Sequence, residues 1–321
     1  MKRLLLILVA LGALAGVGAY WMLWASAGPA EGPHTVIVEE GSSLGKVAAQ
    51  LDKIGAIPGS ATTYRAMARL FGSSDPVQAG EFEIPAGLSG GAVLDLLQHG
   101  QPVQRLVTIP EGTPSILVYE KLMGQKLLTG SIPVPEEGSI LPDSYSFKRG
   151  ESRAAVLKRM QDAMTKAVDT LWAKKGPNSV VNSKREAIIL ASVVEKETGK
   201  ASERPMVAGV YSNRVRIGMK LDADPTVIYP ITKGKPLGRR IKQSELRAQN
   251  GYNTYAMAGL PAGPIANPGR ESIAAVLNPA QTKALYFVAD GTGGHVFADT
   301  LAEHNANVRK WYALRRQRGE M

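Results

Sequence analysis

The chain has 321 residues, enough for about two domains and a sizeable core. It contains no cysteine, which excludes a disulfide framework, a thiolate metal site and a cysteine nucleophile together. Its formal net charge of +10 suits an anionic partner, and the lack of a Lys/Arg block interleaved with aromatics sets nucleic acid aside.

Lys2 and Arg3 precede Leu4–Trp24, a run without a charged residue. At about 1.5 Å per residue this run spans roughly 31 Å, the thickness of a bilayer core. Tyr20, Trp21 and Trp24 fall at its far end, where an aromatic belt belongs. The positive-inside rule leaves residues 1–3 in the cytoplasm and sends everything after residue 24 across the membrane. Ala25-Ser26-Ala27 also fits a signal-peptidase site, but the apolar run is long for a cleaved signal and carries bulky aromatics close to the cut. The reading favoured is an uncleaved transmembrane helix over 4–24, followed by a short extracytoplasmic linker over 25–33.

A weak repeat follows, in which an extended segment, a glycine turn and an apolar helix occur three times: Thr35–Leu51, Phe82–Leu97 and Val107–Leu122. The turns end at Gly41, Gly87 and Gly112. Ser42 or Ser43 can cap a helix carrying Leu44, Val47, Ala48 and Leu51 at helical spacing, and Ser89 one carrying Ala92, Val93 and Leu96. A further helix over about 60–71 carries Tyr64, Met67, Leu70 and Phe71. Together these predict a compact α+β module over 34–106.

Residues 130–147 read as a proline-rich loop, and helices are expected over about 151–174, 183–198 and 203–216. From 218 to 268 the chain is rich in Gly, Pro, Asn, Thr and Tyr, which suits the lining of a groove. Residues 284–289 and 295–298 predict a β-hairpin through Asp290–Gly294, and Asp299 or Thr300 caps a last helix over about 301–316. The whole is expected to be an α+β protein, with residues 107–321 forming a mixed α/β second domain.

The chemistry concentrates at the end of the 183–198 helix, where Glu195 and Glu197 stand two residues apart. With Leu190 at zero and about 100° per residue, Val193, Val194 and Glu197 fall on one stripe, while Glu195 lies about 140° away. A carboxyl on a buried stripe has its pKa raised by desolvation, as a general acid for glycosidic cleavage requires. Periodicity alone leaves open a solvated acid on a stripe that ends one turn early.

The run Ala191-Ser-Val-Val-Glu-Lys-Glu-Thr198, with Ala201-Ser-Glu-Arg204, Ser212–Leu221 and Asp224-Pro-Thr-Val-Ile-Tyr229, resembles the MltG/YceG-like family of endolytic murein transglycosylases. Tyr252–Tyr255, Gly259-Leu-Pro261, Gly263-Pro-Ile265, Asn267-Pro-Gly269, Leu285–Asp290, Gly293-Gly-His295 and His304-Asn305 continue the likeness. It extends over nearly the whole chain, including the anchor, a LysM-like module over 34–106, Leu141-Pro-Asp143 and a lytic transglycosylase-type catalytic domain over 107–321. It implies cleavage of the β-1,4 bond between N-acetylmuramic acid and N-acetylglucosamine inside glycan strands, leaving a 1,6-anhydro end and terminating polymerisation. The family's catalytic acid is the second Glu of the E-K-E-T run, here Glu197. Asn213, Asp224, Tyr229, Asn253, Thr254 and Tyr255 are candidate substrate-binding or transition-state-supporting residues, unranked. The implied setting is the bacterial inner membrane, with penicillin-binding synthases as possible partners and no cofactor.

His34, His99, His295 and His304 are too scattered to suggest a metal site, and no G-x-S-x-G elbow or phosphate loop is present. Lys233–Arg247 reads as a solvated basic surface, and His304 reads as packing more readily than as a substrate contact. A non-catalytic peptidoglycan-binding scaffold for synthases is the alternative class, distinguished by having no use for a buried acid at residue 197.

Overall fold

The computed structural model describes residues 2–320 as a mixed α+β chain with two compact units, Met1–Arg105 with Ser146–Glu151, and Leu106–Tyr145 with Ser152–Met321. Its first helix, α1 (Lys2–Tyr20), continues through one π-helical turn, Trp21–Ala25. Lys2–Ala25 together form a stretch long and apolar enough to cross a membrane.

In the first unit, β1 (His34–Val38), α2 (Leu44–Lys53), α3 (Ala61–Phe71), β2 (Gly80–Ile84) and α4 (Gly90–His99) enclose one core. β1 and β2 pair antiparallel with Val36 opposite Phe82. Val36, Val38, Phe82 and Ile84 on the sheet pack with Val47, Ala48 and Leu51 of α2, Tyr64, Met67 and Ala68 of α3, and Val93, Leu94 and Leu97 of α4. Each helix starts at a serine that accepts a backbone N–H one turn on: Ser43 from Lys46, Ser60 from Thr63, Ser89 from Ala92. Leu70 and Phe71, expected on the apolar face of α3, instead point to solvent. Buried Glu81 is held by Arg105 and by Arg149, both at 2.8 Å, and the second contact ties the 146–151 segment to this unit.

The aromatic end of the apolar run departs from the sequence expectation. Trp24 is 6% exposed and belongs to the core of this unit, 5.8 Å from the Tyr64 ring. Residues 25–33, read as a short linker, are bonded to the first unit. The Gly28 amide donates to the Gly87 carbonyl at 3.2 Å, and the Gly87 amide donates back to the Ala30 carbonyl at 2.9 Å. A Cβ at Gly28 would lie 2.3 Å from the Leu88 carbonyl oxygen, so only glycine permits this approach.

Two further strands, β3 (Arg105–Thr108) and β4 (Ser144–Phe147), form the second two-stranded sheet, between which α5 (Ser115–Met123) and an irregular stretch intervene. The N-terminus of α5 has no serine cap; the Glu137 carboxylate accepts the Ser115 amide at 2.8 Å. The second unit is organised around α6 (Arg153–Trp172), α7 (Lys184–Glu197), α8 (Arg204–Arg216) and, later in the chain, α11 (Arg270–Leu277). The stretch 218–268, read as groove lining, contains α9 (Asp224–Thr232) and the short α10 (Gln243–Leu246). Pro225 sits in the first turn of α9, where a missing amide costs nothing, and this makes a proline-bearing segment helical. After α11 (Arg270–Leu277), β5 (Tyr286–Ala289) and β6 (His295–Ala298) form the expected hairpin, with Phe287 opposite Phe297. Thr300, not Asp299, caps α12 (Leu301–Gln317), in a reciprocal capping box with Glu303.

Candidate active site

Helix α7 begins at Ser183, whose side chain accepts the Glu186 amide, and ends with Thr198 at its C-cap. It is buried nearly all round: Ala187 and every residue from Ile189 to Val194 are buried. The single apolar stripe read from the sequence is therefore incomplete, because α7 runs through the middle of its core and has almost no solvent face before its last turn. The two acids of that turn meet different neighbours. Glu195, expected off the buried stripe, has a side chain only 4% exposed. It accepts from Arg204 Nη2 at 3.1 Å and from the Gly269 amide at 2.9 Å, and Arg204 also binds Glu111 at 2.6 Å.

Glu197 has no such cation against it. Its Oε1 is enclosed and has no hydrogen-bond partner. Burial, followed by the negative charge of Asp224, pushes the carboxyl up to about 7, against the weaker opposing pull of the Tyr211 hydroxyl and the Arg214 guanidinium. It is thus a carboxylic acid that holds its proton near neutrality.

Glu197 opens into a cleft of about 640 Å³ whose wall includes Tyr211 and Arg214 of α8, Asp222, Asp224, Tyr255, Tyr286 of β5, and His304 and Trp311 of α12. Tyr211, wholly enclosed, has its hydroxyl held well above its ordinary value by burial and by Glu197. Arg214 is locked by backbone carbonyls: Nε donates to Leu285 at 2.7 Å and Nη1 to Leu221 at 2.7 Å, with the guanidinium 5.4 Å from the Tyr286 ring. Asp224 accepts the Tyr255 hydroxyl at 2.7 Å, and burial with that bond raises the tyrosine above its usual range. Asp222 adopts the left-handed region at φ 48°, which aspartate tolerates better than most residues. His304 stacks on Tyr286 at 5.2 Å, and burial, then the Arg214 charge, lowers its basicity.

Of the six candidate partners of Glu197, Asp224 and Tyr255 line this cleft. The others are engaged elsewhere. Asn213 donates to the Thr282 and Ala284 carbonyls at 2.8 and 3.0 Å. Tyr229 turns to Glu137, whose carboxyl burial raises, and packs 5.0 Å from the Tyr252 ring. Asn253 and Thr254 are wholly buried beneath the cleft wall. Thr254 Oγ1 accepts the Ala223 amide at 3.1 Å and shares a 2.8 Å bond with Thr226. The Thr254 carbonyl accepts the Asp222 amide at 3.4 Å, and Asn253 Oδ1 accepts the Tyr255 amide at 3.0 Å. These two residues shape the backbone that carries Asp222, Asp224 and Tyr255. Sequence reasoning misses Tyr211 and Arg214 as site residues; their i, i+3 spacing on a helix is the available signal, since it puts both on one face. Among the described residues no group of three or more His, Asp and Glu is arranged to hold a metal ion.

A family model, that of the YceG-like family, matches residues 36–310, from β1 into α12. The chain belongs to the YceG-like family. A crystal structure at 2.6 Å of a YceG-like protein from Listeria monocytogenes superposes with a TM-score of 0.53 at 25% identity, covering 86% of this chain and 99% of that one. An endolytic murein transglycosylase of Bacillus subtilis strain 168 is 34% identical over 189 residues, 59% of this YceG-like chain and 51% of that protein. An endolytic murein transglycosylase of Streptococcus pneumoniae D39 is 27% identical over 324 aligned residues, 85% of this chain and 57% of that protein. The chain spans about half the length of these curated relatives.

Proposed function

We propose that this YceG-like protein is an endolytic murein transglycosylase in which Glu197 is the sole general acid–base. The observation that carries the reading is an enclosed carboxyl without a cation against it, raised to about 7, opening on a cleft large enough for sugar rings. A hydrolytic glycosidase generally needs a second carboxyl as nucleophile or base. Here the substrate supplies the nucleophile. Protonated Glu197 donates its proton to the oxygen joining C1 of N-acetylmuramic acid to C4 of N-acetylglucosamine, and the C1–O bond breaks. The 6-hydroxyl of the same muramyl residue bonds to C1 and passes its proton to the Glu197 carboxylate. The acid is regenerated, no water is consumed, and the strand ends in a 1,6-anhydro ring. Asp224, held by Tyr255, offers negative charge to the oxocarbenium-like transition state. Mass spectrometry of digested peptidoglycan tests this: anhydro ends are expected, and ends heavier by one water would make the enzyme a hydrolase.

The same proposal places the protein in the bacterial inner membrane, with residues 1–3 cytoplasmic, one retained span, and the remainder outside. Retention is supported by Trp24: cleavage after Ala27 would remove a large buried side chain from the first unit, a loss on the scale of about 3–5 kcal/mol. Protease added to spheroplasts should digest all but the N-terminal helix. The first unit is a LysM-like module that orients glycan without chemistry, and cutting of nascent strands there would terminate their polymerisation beside penicillin-binding synthases.

A further inference from the structure

The first unit exposes apolar side chains in one place that its own fold does not require. Leu70 is 72% exposed and Phe71 52%, both at the last turn of α3. A loop could have turned these residues inward, but α3 stops at Gly72, where an added Cβ would meet Leu94 Cδ2 at 2.4 Å and the Ala68 carbonyl oxygen at 2.6 Å. The tight approach anchors the end of α3 and leaves its last two side chains outside. Phe71 is not alone there. Its ring meets Tyr20 edge-to-face at 4.8 Å, at the end of α1, and the next two residues of the apolar stretch, Trp21 and Met22, are 65% and 69% exposed.

The position of Tyr20 sets the depth. Lys2–Tyr20 is 19 residues of helix, which at about 1.5 Å each reaches close to the roughly 30 Å of a hydrocarbon core. Tyr20, and Phe71 in contact with it, therefore stand where core meets headgroups, the level at which aromatic residues are most stable. Trp24, one turn further on, is already inside the protein core. About one turn of chain separates the lipid level from the folded unit, so no flexible spacer can lift that unit away.

The geometry points to a membrane-interface surface made of Trp21, Met22, Leu70 and Phe71, by which the first unit rests on the bilayer that α1 crosses. This rests on the membrane-spanning reading of α1. The occupant is the lipid surface because the patch is continuous, through the Tyr20–Phe71 contact, with the apolar helix itself. The consequence is an anchor that fixes the orientation of the first unit as well as its location.

The natural chain has no cysteine, so single-cysteine variants label at one position. The full-length protein carrying Leu70→Cys, modified with an environment-sensitive fluorophore, is reconstituted into phosphatidylglycerol–phosphatidylcholine vesicles. Leu11→Cys, in the middle of α1, serves as the parallel probe. The expected result is blue-shifted emission from residue 70, quenched most by nitroxides attached high on the acyl chains, while residue 11 is quenched most by nitroxides near the chain ends. Emission from residue 70 like that of the fluorophore in water, with residue 11 quenched from within the bilayer, overturns the interface surface and leaves the span intact. Water-like emission from both positions overturns the span reading and this inference together.

Discussion

Glu195 and Glu197 leave the same turn of α7, and both carboxyls are taken out of water, but their surroundings favour opposite protonation states. Glu195 answers Arg204 and the Gly269 amide, and Arg204 in turn answers Glu111, so each carboxylate of that group has the guanidinium against it. Glu197 is desolvated with Asp224 nearby and no direct cation, so its neutral form is favoured. Burial by itself does not make an acid catalyst. A buried carboxyl with a bonded guanidinium is structural; one without it must keep a proton, and in a cleft that proton can be given away.

The comparison breaks first at activity. Glu197→Gln retains shape but cannot donate a carboxyl proton, so release of anhydro product should fall by about 10²–10⁴-fold or more. Glu195→Gln, assayed at equal folded concentration, should keep most of its turnover. The reverse pattern in product mass spectra would exchange the two roles.

Stability should show the opposite ranking. Removing one partner of a buried ion pair costs about 3–5 kcal/mol, and Glu111 remaining on Arg204 puts the loss for Glu195→Gln toward the lower end. A denaturant midpoint equal to that of the natural chain would show that Glu195 contributes nothing through Arg204.

Glu197→Gln should instead stabilise the protein in mild alkali. The Glu197 carboxyl titrates near 4.5 when exposed and at about 7 in the fold, so the native state binds the proton more tightly. The stability this contributes is complete below pH 4.5 and is lost as pH rises through 7. By pH 8 the natural chain has forgone up to about 3 kcal/mol, since each pH unit between the two titrations is worth about 1.4 kcal/mol. The variant should therefore unfold at higher temperature than the natural chain at pH 8, with the gap closing toward pH 4.5. A gap independent of pH would place its cause outside the titration of Glu197.

The smallest effect concerns Asp224. Its charge helps to raise Glu197, so Asp224→Asn should move the alkaline limb of kcat/KM downward from about pH 7, by only part of the distance to 4.5 because burial is the larger cause. A limb that stays in place would mean that Asp224 does not act on Glu197.

Local signals carry much of this fold. Serine caps at 43, 60 and 89, helical spacing of Val47, Ala48 and Leu51, and the glycine-bearing 290–294 turn all place their elements from a few neighbouring residues. The same kind of reading fails where a distant partner decides. Trp24 ends an apolar run and so reads as lipid-facing, but the packing of Tyr64, forty residues on in the chain, puts it in a protein core. Leu70 has the spacing of a core residue, and the stop at Gly72 leaves it outside. The 224–232 helix is hidden by prolines that suit its first turn and are tolerated within it.

The chemical site divides the same way. Sequence by itself determined that one helix ends in two acids and that a polar, tyrosine-rich segment follows, because residue type and helical spacing are properties of neighbouring positions. Only tertiary structure decided which acid is left without a guanidinium against it. The groups that neutralise Glu195 come from 9 and 74 residues away, and Asp224 comes to Glu197 from beyond α8. Among the six polar candidates, likewise, the pattern along the chain is the same for a residue that faces the cleft and one that props it up. Asn253 and Thr254 spend their hydrogen bonds on the backbone beneath, while Asp224 and Tyr255 face the open side, a choice made by how two distant segments pack and by no feature of either segment alone.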